Sequence, residues 1–257
     1  MMFGLKRRRR QRHKSKFFPE NWISIIDKNI VMYRFLSEQK KETLHGDIQV
    51  FLNEKRFEGC GGQQITDEIR LTISAQACIM ILGGISDYFP SLRSILVYPH
   101  TYNAPVRDFD EGIVTEGYES RQGEAWDMGS IVLTWENVIK GTRLADGNNL
   151  VLHEFAHLLD SELGATENWD IGAGNPAFVQ WSRTLHAEHQ SLIRKLKRGE
   201  PVLFDPYGAT NLIEFFAVAT ECFFELPAKM LKLHPGLYRQ MKFFYAQDPA
   251  SYIKKDT

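Results

Sequence analysis

Patterns typical of helices occupy both ends of the chain. Within residues 21–55 the spacing of apolar positions predicts two helices, with a break near Leu36-Ser37. Thr66-Asp67-Glu68 is typical of a helix start, and residues 69–82, apolar around most of the helix circumference, predict a buried helix. Further helices are predicted near residues 148–162, 175–197, 211–226 and 235–246.

The middle of the chain carries strand signals instead. Residues 94–99 and 131–135 are short runs of Ile, Leu and Val with one aromatic residue, so each predicts a β-strand. Residues 57–62 predict a turn with close backbone approach, and residues 103–125, rich in Gly, Asp and Glu, predict turns with one short strand at 112–114. Small strands between helical ends are typical of an α+β protein, and we expect a small antiparallel or mixed sheet.

Charge separates a short basic start from an acidic body. The chain has 257 residues, of which 43% are hydrophobic and 25% charged, as in ordinary globular proteins. Residues 1–16 hold eight basic residues and no acidic one, which leaves 31 − 8 = 23 basic against 32 acidic residues in the remainder, a net charge of −9. We therefore expect a disordered tail over 1–16, a single domain over 17–257, and no nucleic-acid binding by that domain.

Cysteine usage and hydropathy bear on the compartment. The three cysteines, Cys60, Cys78 and Cys222, lack C-x-x-C spacing, which disfavours a disulfide framework or a thiolate zinc site and fits a reducing compartment. No apolar segment follows the basic start as it does in a secretory signal. The chain has no run of 18 apolar residues, so no transmembrane segment is predicted. The expected location is cytoplasmic.

The informative motif is His153-Glu154-Phe155-Ala156-His157, inside the predicted helix at 148–162. Residues four apart project from the same helix face, so the two imidazoles can reach one metal ion. In this H-E-x-x-H pattern the glutamate lies beside the metal and serves as the general base that takes a proton from water. The flanks are apolar, and buried polar side chains need partners, which a Zn²⁺ ion supplies. A hydrogen-bonded pair of core histidines is the alternative.

A catalytic zinc needs a third protein ligand and one open coordination position. Asp160 and Leu163 stand where the longer metzincin motif has glycine and histidine, so that class is excluded. Glu214, at the start of a strongly apolar helix, is a candidate, because a lone carboxylate there is costly unless it is paired or bound to metal. A glutamate stabilised by the helix dipole is the alternative. The acidic candidates closer to the motif are Glu162, Glu167 and Asp170.

Other side chains near the motif have two interpretations each. Asp160 and Glu221 can accept an imidazole N–H and fix its tautomer, or they form ordinary salt bridges. Tyr207 lies in a turn before the Glu214 helix, where a phenol near the metal can donate to an oxyanion. The strand at 131–135 can hold an extended peptide if it lies at an exposed sheet edge, and otherwise it is a core strand.

Several blocks of sequence together resemble the Mlc titration factor A family of bacterial zinc metallopeptidases, also called glucose-regulated metallopeptidases. The resemblance runs from about residue 17 to residue 249, so it is more specific than the short motif. The blocks are F-E-G-C-G-G at 57–62, I-V-L-T-W at 131–135, H-E-F-A-H-L-L-D at 153–160, E-F-F-A-V at 214–218 and F-Y-A-Q-D-P at 244–249.

The resemblance implies a zincin-like domain with a gluzincin-like site. In such a site His153, His157 and Glu214 bind zinc, Glu154 is the catalytic base, and Tyr207 stabilises the oxyanion. The resemblance also implies aminopeptidase-type activity and binding of the glucose repressor Mlc, which links the family to the regulation of sugar uptake.

The chain departs from the family pattern in two places. Some members have a metal-capping histidine in the loop before the strand, where this chain has Thr115 followed by Glu116. The basic start at 1–16 also differs from the best-studied members of the family.

The combined expectation is a zinc-dependent peptidase that hydrolyses peptide substrates. Glu154 and Tyr207 are its expected catalytic residues. The first alternative is a binding protein that sequesters a transcriptional repressor, with catalysis secondary. The second is a structural zinc, which would need a fourth protein ligand.

Overall fold

A computed structural model shows how these predicted elements assemble. The backbone alone is described for residues 2–3, 102–110, 113–121, 123–126, 143, 178 and 253. The structure describes residues 2–100, 102–110, 113–121, 123–126, 129–143, 145–167 and 176–253.

Four helices form the N-terminal part of the molecule, and side-chain caps begin two of them, one at the predicted helix start Thr66 and one at Ser37 in the predicted break. The Ser37 hydroxyl accepts from the Lys40 backbone N–H at 3.4 Å, and the Thr66 hydroxyl accepts from the Ile69 N–H at 3.3 Å. The predicted break near Leu36-Ser37 is confirmed, with a short 3₁₀ segment at Val31–Phe35 before it. The helices are α1 (Met2–Lys14), α2 (Glu20–Asn29), α3 (Glu38–Glu54) and α4 (Asp67–Met80).

The helix α1 differs from the disordered tail expected over residues 1–16. Three of its basic residues, spaced four apart and therefore on one face, form ion pairs with acidic groups of the folded body. Arg10 makes two hydrogen bonds of 2.8 Å to the Glu54 carboxylate, and both side chains are largely buried. Lys14 pairs with Asp47 at 2.6 Å, and Lys6 pairs with Asp87 at 2.8 Å. Partners distant in sequence thus order a segment whose local composition predicts disorder.

A four-stranded sheet lies between the helical parts. The strands of the structure are β1 (Arg56–Gly59), β2 (Ser94–Tyr98), β3 (Tyr102–Asp110), β4 (Ile113–Arg121), β5 (Gly123–Trp126) and β6 (Ser130–Thr134). The order in the sheet is β1-β2-β6-β5. Of the two arrangements expected, antiparallel or mixed, the purely antiparallel one is wrong, because β1, β2 and β6 run parallel and β5 alone is antiparallel to β6. Parallel neighbours need long connections, here α4 between β1 and β2 and strands β3 to β5 between β2 and β6, and the strand signals themselves do not reveal them.

Two sequence predictions in this region need correction. Residues 57–62 begin as strand β1, and the turn is confined to the end of the segment, where Gly61 and Gly62 have φ angles of 59° and 83°. Residues 103–125, where turns and one short strand at 112–114 were predicted, belong mainly to a separate hairpin of β3 and β4 with nine residues in each strand, and the last of them to β5. Their Gly, Asp and Glu content lowers the strand signal, and pairing along the whole hairpin outweighs it.

The four helices predicted after the sheet are confirmed close to their predicted boundaries, as α6 (Leu150–Leu163), α7 (Pro176–Lys197), α8 (Leu212–Glu225) and α10 (Pro235–Tyr245). Three shorter helices were not predicted: α5 (Trp135–Arg143), α9 (Pro227–Leu233) and α11 (Pro249–Ile253). Asn149 and Asn211 precede α6 and α8, and each carboxamide oxygen accepts a backbone N–H of the first turn. The core cluster, running from Phe18 to Ala250, draws on both helical parts. Among the described residues no helix is both long and apolar enough to cross a bilayer.

Candidate metal centre

The helix α6 presents the two motif histidines side by side. Its buried face, which includes Phe155 and Leu159, fixes the helix in the core. His153 and His157 then project together from the less buried face, with ring centroids 4.7 Å apart and ring planes at 87°. The predicted relation between the two imidazoles is therefore present in the structure.

The helix α8 packs against α6 and brings a carboxylate to the imidazoles. Asn211 caps α8 by accepting from the Glu214 N–H at 2.9 Å, which places Glu214 in the first turn. Glu214 Oε2 lies 3.0 Å from His153 Nε2 and 3.4 Å from His157 Nε2. One ligand atom from each of the three residues falls within 4.8 Å of the others, and no other such group of metal-ligating side chains occurs in the described part of the chain.

The donor set of this group fits a divalent metal. Two imidazole nitrogens and one carboxylate oxygen are the three protein ligands of many catalytic zinc sites. Bonds of about 2.0–2.1 Å in a tetrahedron place neighbouring ligand atoms about 3.3 Å apart. The observed separations of 3.0 and 3.4 Å are close to that spacing. These residues can therefore hold an ion with little rearrangement.

The electrostatics of the group also favour a cation at this point. Burial disfavours the charged imidazole of His153, but hydrogen bonds to Glu214 and Glu221 outweigh burial and raise the pKa of His153 to about 10. Burial likewise disfavours the charged Glu214, and hydrogen bonds from His153 and His157 outweigh it and lower the pKa of Glu214 to about 2. The carboxylates of Glu214 and Glu221 on α8 thus stabilise a positive charge between α6 and α8.

A second carboxylate of α8 orients the first histidine. Glu221 Oε1 accepts from His153 Nδ1 at 2.8 Å, and Glu221 Oε2 accepts from the backbone N–H of Asn149. With the Nδ1 proton held by Glu221, Nε2 is the ring nitrogen left to bind a metal once it has released the proton that it donates to Glu214. Burial raises the pKa of Glu221, and the hydrogen bond from His153 opposes that rise.

Asp160, the other candidate for this orienting role, makes its side-chain hydrogen bonds within the described residues to Thr166 and not to an imidazole. Its carboxylate accepts from the Thr166 N–H at 2.7 Å and from the Thr166 hydroxyl at 2.8 Å. Asp160 therefore stabilises the turn after α6. Helix spacing alone does not show whether Asp160 or Glu221 accepts the imidazole N–H, because that depends on how α6 and α8 pack.

The two predicted catalytic residues lie near this group. Glu154 follows His153 on α6 and is 5% exposed, and it is not a member of the metal-ligating group. Tyr207 lies in the 3₁₀ turn Pro206–Ala209, where the Asp205 carboxylate accepts its backbone N–H at 2.8 Å. The Tyr207 ring centroid is 6.1 Å from that of His153, and the side chain is 56% exposed.

The remaining candidates lie elsewhere or outside the described residues. Glu162 accepts from the backbone N–H of Ser91 at 2.9 Å, and Glu167 is exposed and outside the metal-ligating group. Asp170 lies outside the described residues. Thr115 and Glu116 are on β4, and their side chains are outside the described part.

The strand at 131–135 does not form a sheet edge. Strand β6 pairs with β2 on one side and β5 on the other, and Ile131 and Leu133 are fully buried. The core-strand interpretation is therefore the correct one for β6. Strand β5 ends the sheet order, with α6 beside it.

Sequence reasoning missed the structural role of Asn149. This residue caps α6 with its carboxamide oxygen and donates its backbone N–H to Glu221. An asparagine immediately before an apolar helical run was the available signal.

Comparison with known proteins agrees with this site. The family model for the glucose-regulated metallo-peptidase M90 matches residues 5–246. An uncharacterized protein of Synechocystis sp. is 37% identical over 234 residues, which cover 90% of this chain and 85% of that protein. Proteins called Mlc titration factor A, from Yersinia pestis and Yersinia pseudotuberculosis, are 29% identical over 233 residues, 88% of this chain and 85% of theirs. The chain therefore belongs to the glucose-regulated metallo-peptidase M90 family.

Proposed function

We propose that this chain is a zinc-dependent peptidase of the zincin type, with a gluzincin-like site and aminopeptidase-like activity. The observation that carries the proposal is the convergence of His153, His157 and Glu214 from two packed helices. Family membership supports a metallopeptidase. Zinc is favoured over harder ions because two of the three donors are imidazole nitrogens.

The ion would be held by His153 Nε2, by an imidazole nitrogen of His157 and by the Glu214 carboxylate. When bound, zinc lowers the pKa of water and polarises a carbonyl group, which is the chemistry that peptide hydrolysis requires. Glu221 keeps the Nδ1 proton of His153 in place, so that the other ring nitrogen remains a ligand.

Glu154 is the proposed general base. It is adjacent in sequence to the first metal ligand and nearly buried, yet it is not in the ligand group. Its carboxylate takes a proton from the attacking water and later delivers that proton to the departing amine. Tyr207, in the turn beside the His153 ring, is proposed to donate its hydroxyl to the developing oxyanion.

Strand β5 is the proposed holder of the peptide backbone. It pairs with β6 on one side and is last in the sheet order, and α6 lies beside it. A substrate in extended form can add to such an edge through main-chain hydrogen bonds. Residues 131–135, first considered for binding an extended peptide, lie inside the sheet, so β5 is proposed for this role instead.

Substitution of the proposed base tests the function directly. We expect Glu154→Gln to retain one zinc per chain but to lower hydrolysis of amino-acid anilides by about 10²-fold or more, because the amide cannot take a proton. Glu167→Gln, at an exposed glutamate outside the ligand group, is the matched control. Metal content and anilide turnover are measured on both variants. Full activity in Glu154→Gln, or the absence of zinc from the purified wild type, would overturn the proposal.

A second function, binding of a transcriptional repressor, is favoured by the names of the Yersinia relatives, which are called Mlc titration factor A. In this alternative the chain sequesters an Mlc-like repressor and catalysis is secondary. Co-purification of such a repressor with wild type and with Glu154→Gln separates the two functions. Capture by both proteins together with no measurable hydrolysis would favour the binding function, and either function fits the cytoplasmic location that the three free thiols suggest.

A further inference from the structure

A cleft of about 80 Å³ lies between the N-terminal helices and the ends of α5, α6 and α8. None of the three proposed metal ligands lines it. Most of its surface is apolar. The apolar wall consists of Ile30, Met32, Phe35, Ile79, Leu152 and Phe224.

One wall of the cleft carries an acidic group. Glu225 is the one charged side chain among the described residues that line the cleft. Its carboxylate accepts from the Gly147 N–H at 3.0 Å and from the Asn149 side chain at 2.7 Å, and the described residues provide it with no ion pair. Burial, together with the neighbouring acids Glu221 and Asp146, outweighs the two hydrogen bonds and raises the pKa of Glu225 to about 8. A cation beside Glu225 would stabilise the charge that burial disfavours.

The same cleft is lined by a buried amide with an unused acceptor. Gln76 is 4% exposed, and its side-chain nitrogen donates to the Thr72 carbonyl at 3.3 Å. Its Oε1 is buried and has no hydrogen-bond partner in the described part of the structure. A buried acceptor without a donor is destabilising, so a ligand N–H that reaches it gains more than a surface hydrogen bond would. Gln76 and Glu225 together are called the polar wall below.

We propose that this cleft binds a small primary ammonium ion carried on a short apolar body. The ammonium group, with three donors and a positive charge, lies on the polar wall. The aliphatic or aromatic body lies on the apolar wall. A neutral molecule of the same shape lacks the charge that Glu225 attracts, and an anion is repelled by it.

The cleft is connected to the metal centre by hydrogen bonds. Asn149 donates its side-chain N–H to Glu225 and its backbone N–H to Glu221, which in turn accepts from His153. A ligand on the polar wall therefore contacts the same asparagine that supports the orientation of His153. The ammonium site itself does not depend on the proposed peptidase activity, because it uses none of the metal ligands.

Methyl NMR of the full chain tests the proposal at the cleft itself. The Met32 methyl group reports on the apolar wall, and Met241, buried in α10 and outside the cleft, is the internal reference. The probe is 3-methylbutylamine, and the matched neutral probe is 3-methylbutanol. We expect the Met32 signal to shift saturably with the amine, with about tenfold weaker binding of the alcohol. The shift should persist in the presence of a chelator, which separates this site from amine binding at a metal.

Two variants locate the interaction. Glu225→Gln should remove the preference for amine over alcohol, whereas Glu136→Gln, at an exposed glutamate of α5, should keep it. Val31→Trp, at a partly exposed position of the cleft lining, should weaken both probes about tenfold by filling the space. An unmoved Met32 signal, an unchanged preference in Glu225→Gln, or wild-type amine binding in Val31→Trp would each overturn the proposal.

Discussion

At the scale of single residues, the proposed metal centre depends on a carboxylate that lies outside the group of candidate ligands. Glu221 receives two N–H groups, the Nδ1–H of His153 and the backbone N–H of Asn149. The two oxygens of one carboxylate can accept both groups at once, and a carboxamide has only one oxygen with which to do so. The tautomer and orientation of His153 therefore rest on the charge of Glu221.

We predict that Glu221→Gln lowers zinc affinity by about tenfold or more. Loss of a carboxylate partner of a metal-ligating histidine typically costs 10- to 100-fold in metal affinity. Competition with a chromogenic chelator measures the effect. Glu162→Gln, which alters a carboxylate on α6 that accepts from Ser91, is the control and should bind zinc as the wild type does. Equal affinities in all three proteins would contradict the role assigned to Glu221.

The shifted pKa of Glu225 makes stability depend on pH. Its pKa is raised from an ordinary 4.5 to about 8, first by burial and then by neighbouring acids. Between these values the folded protein holds a proton that the unfolded chain releases. The contribution of protonated Glu225 to the free energy of unfolding is therefore complete below about pH 4.5 and is lost as the pH rises through about 8.

We predict that Glu225→Gln flattens this part of the stability profile. Urea unfolding at pH 5, 6.5 and 8 should show wild-type stability falling relative to the variant, by roughly 1.4 kcal/mol for each pH unit in this window at most. The comparison with the variant cancels the contributions of other titrating groups. A constant difference between the two proteins across the three pH values would show that Glu225 titrates normally.

At the scale of elements, the sequence predicts best where the deciding forces are local. Helices α6 and α8 combine an asparagine cap with an apolar run, and both were located within two residues at each end. The histidine pair follows from spacing within α6 alone. Glu214 stood among several acidic candidates until the packing of α6 on α8 brought it to the imidazoles.

Elements held by distant partners were not predictable in the same way. The basic composition of residues 1–16 predicts disorder. The ion-pair partners that hold helix α1, among them Glu54 and Asp87, lie in other parts of the chain, so the local sequence does not reveal them. For the long hairpin of β3 and β4 the sequence predicts turns with one short strand, because the composition of this segment is poor in residues that favour strands. The pairing of the two strands is visible only in three dimensions. The parallel order of β1, β2 and β6 is likewise set by the connections between them.

We predict that α1 is held to the body mainly through Arg10. Arg10→Ala removes two hydrogen bonds to Glu54 and leaves that largely buried carboxylate with only the longer 3.6 Å contact to Arg9, at a cost of about 1–3 kcal/mol. The exposed Arg8 on the same helix provides the control, and Arg8→Ala should change stability by less than about 0.5 kcal/mol. Hydrogen exchange of the α1 amides and urea unfolding measure both effects. Similar exchange rates in the two variants would mean that other contacts hold α1.

At the scale of the whole molecule, the metal centre is part of the core. Phe155 of α6 and Phe215 of α8 are both fully buried, and His153 and Glu214 are held together by the packing of these two helices. Unfolding would separate Glu214 from His153 and His157, because α8 and α6 are distant in sequence. An ion that binds only the folded state therefore stabilises the whole chain.

We predict that zinc raises the thermal midpoint and that a chelator lowers it again. At about 1,000 times its dissociation constant a ligand stabilises the folded state by about 4 kcal/mol, which for a chain of this length is on the order of 10 °C. His157→Ala removes one of three ligands and should abolish most of the gain. His186→Ala, at an exposed histidine of α7, should retain it. Scanning calorimetry of the three proteins with zinc and with chelator decides the matter, since an equal gain in His157→Ala would place the stabilising ion at a different site.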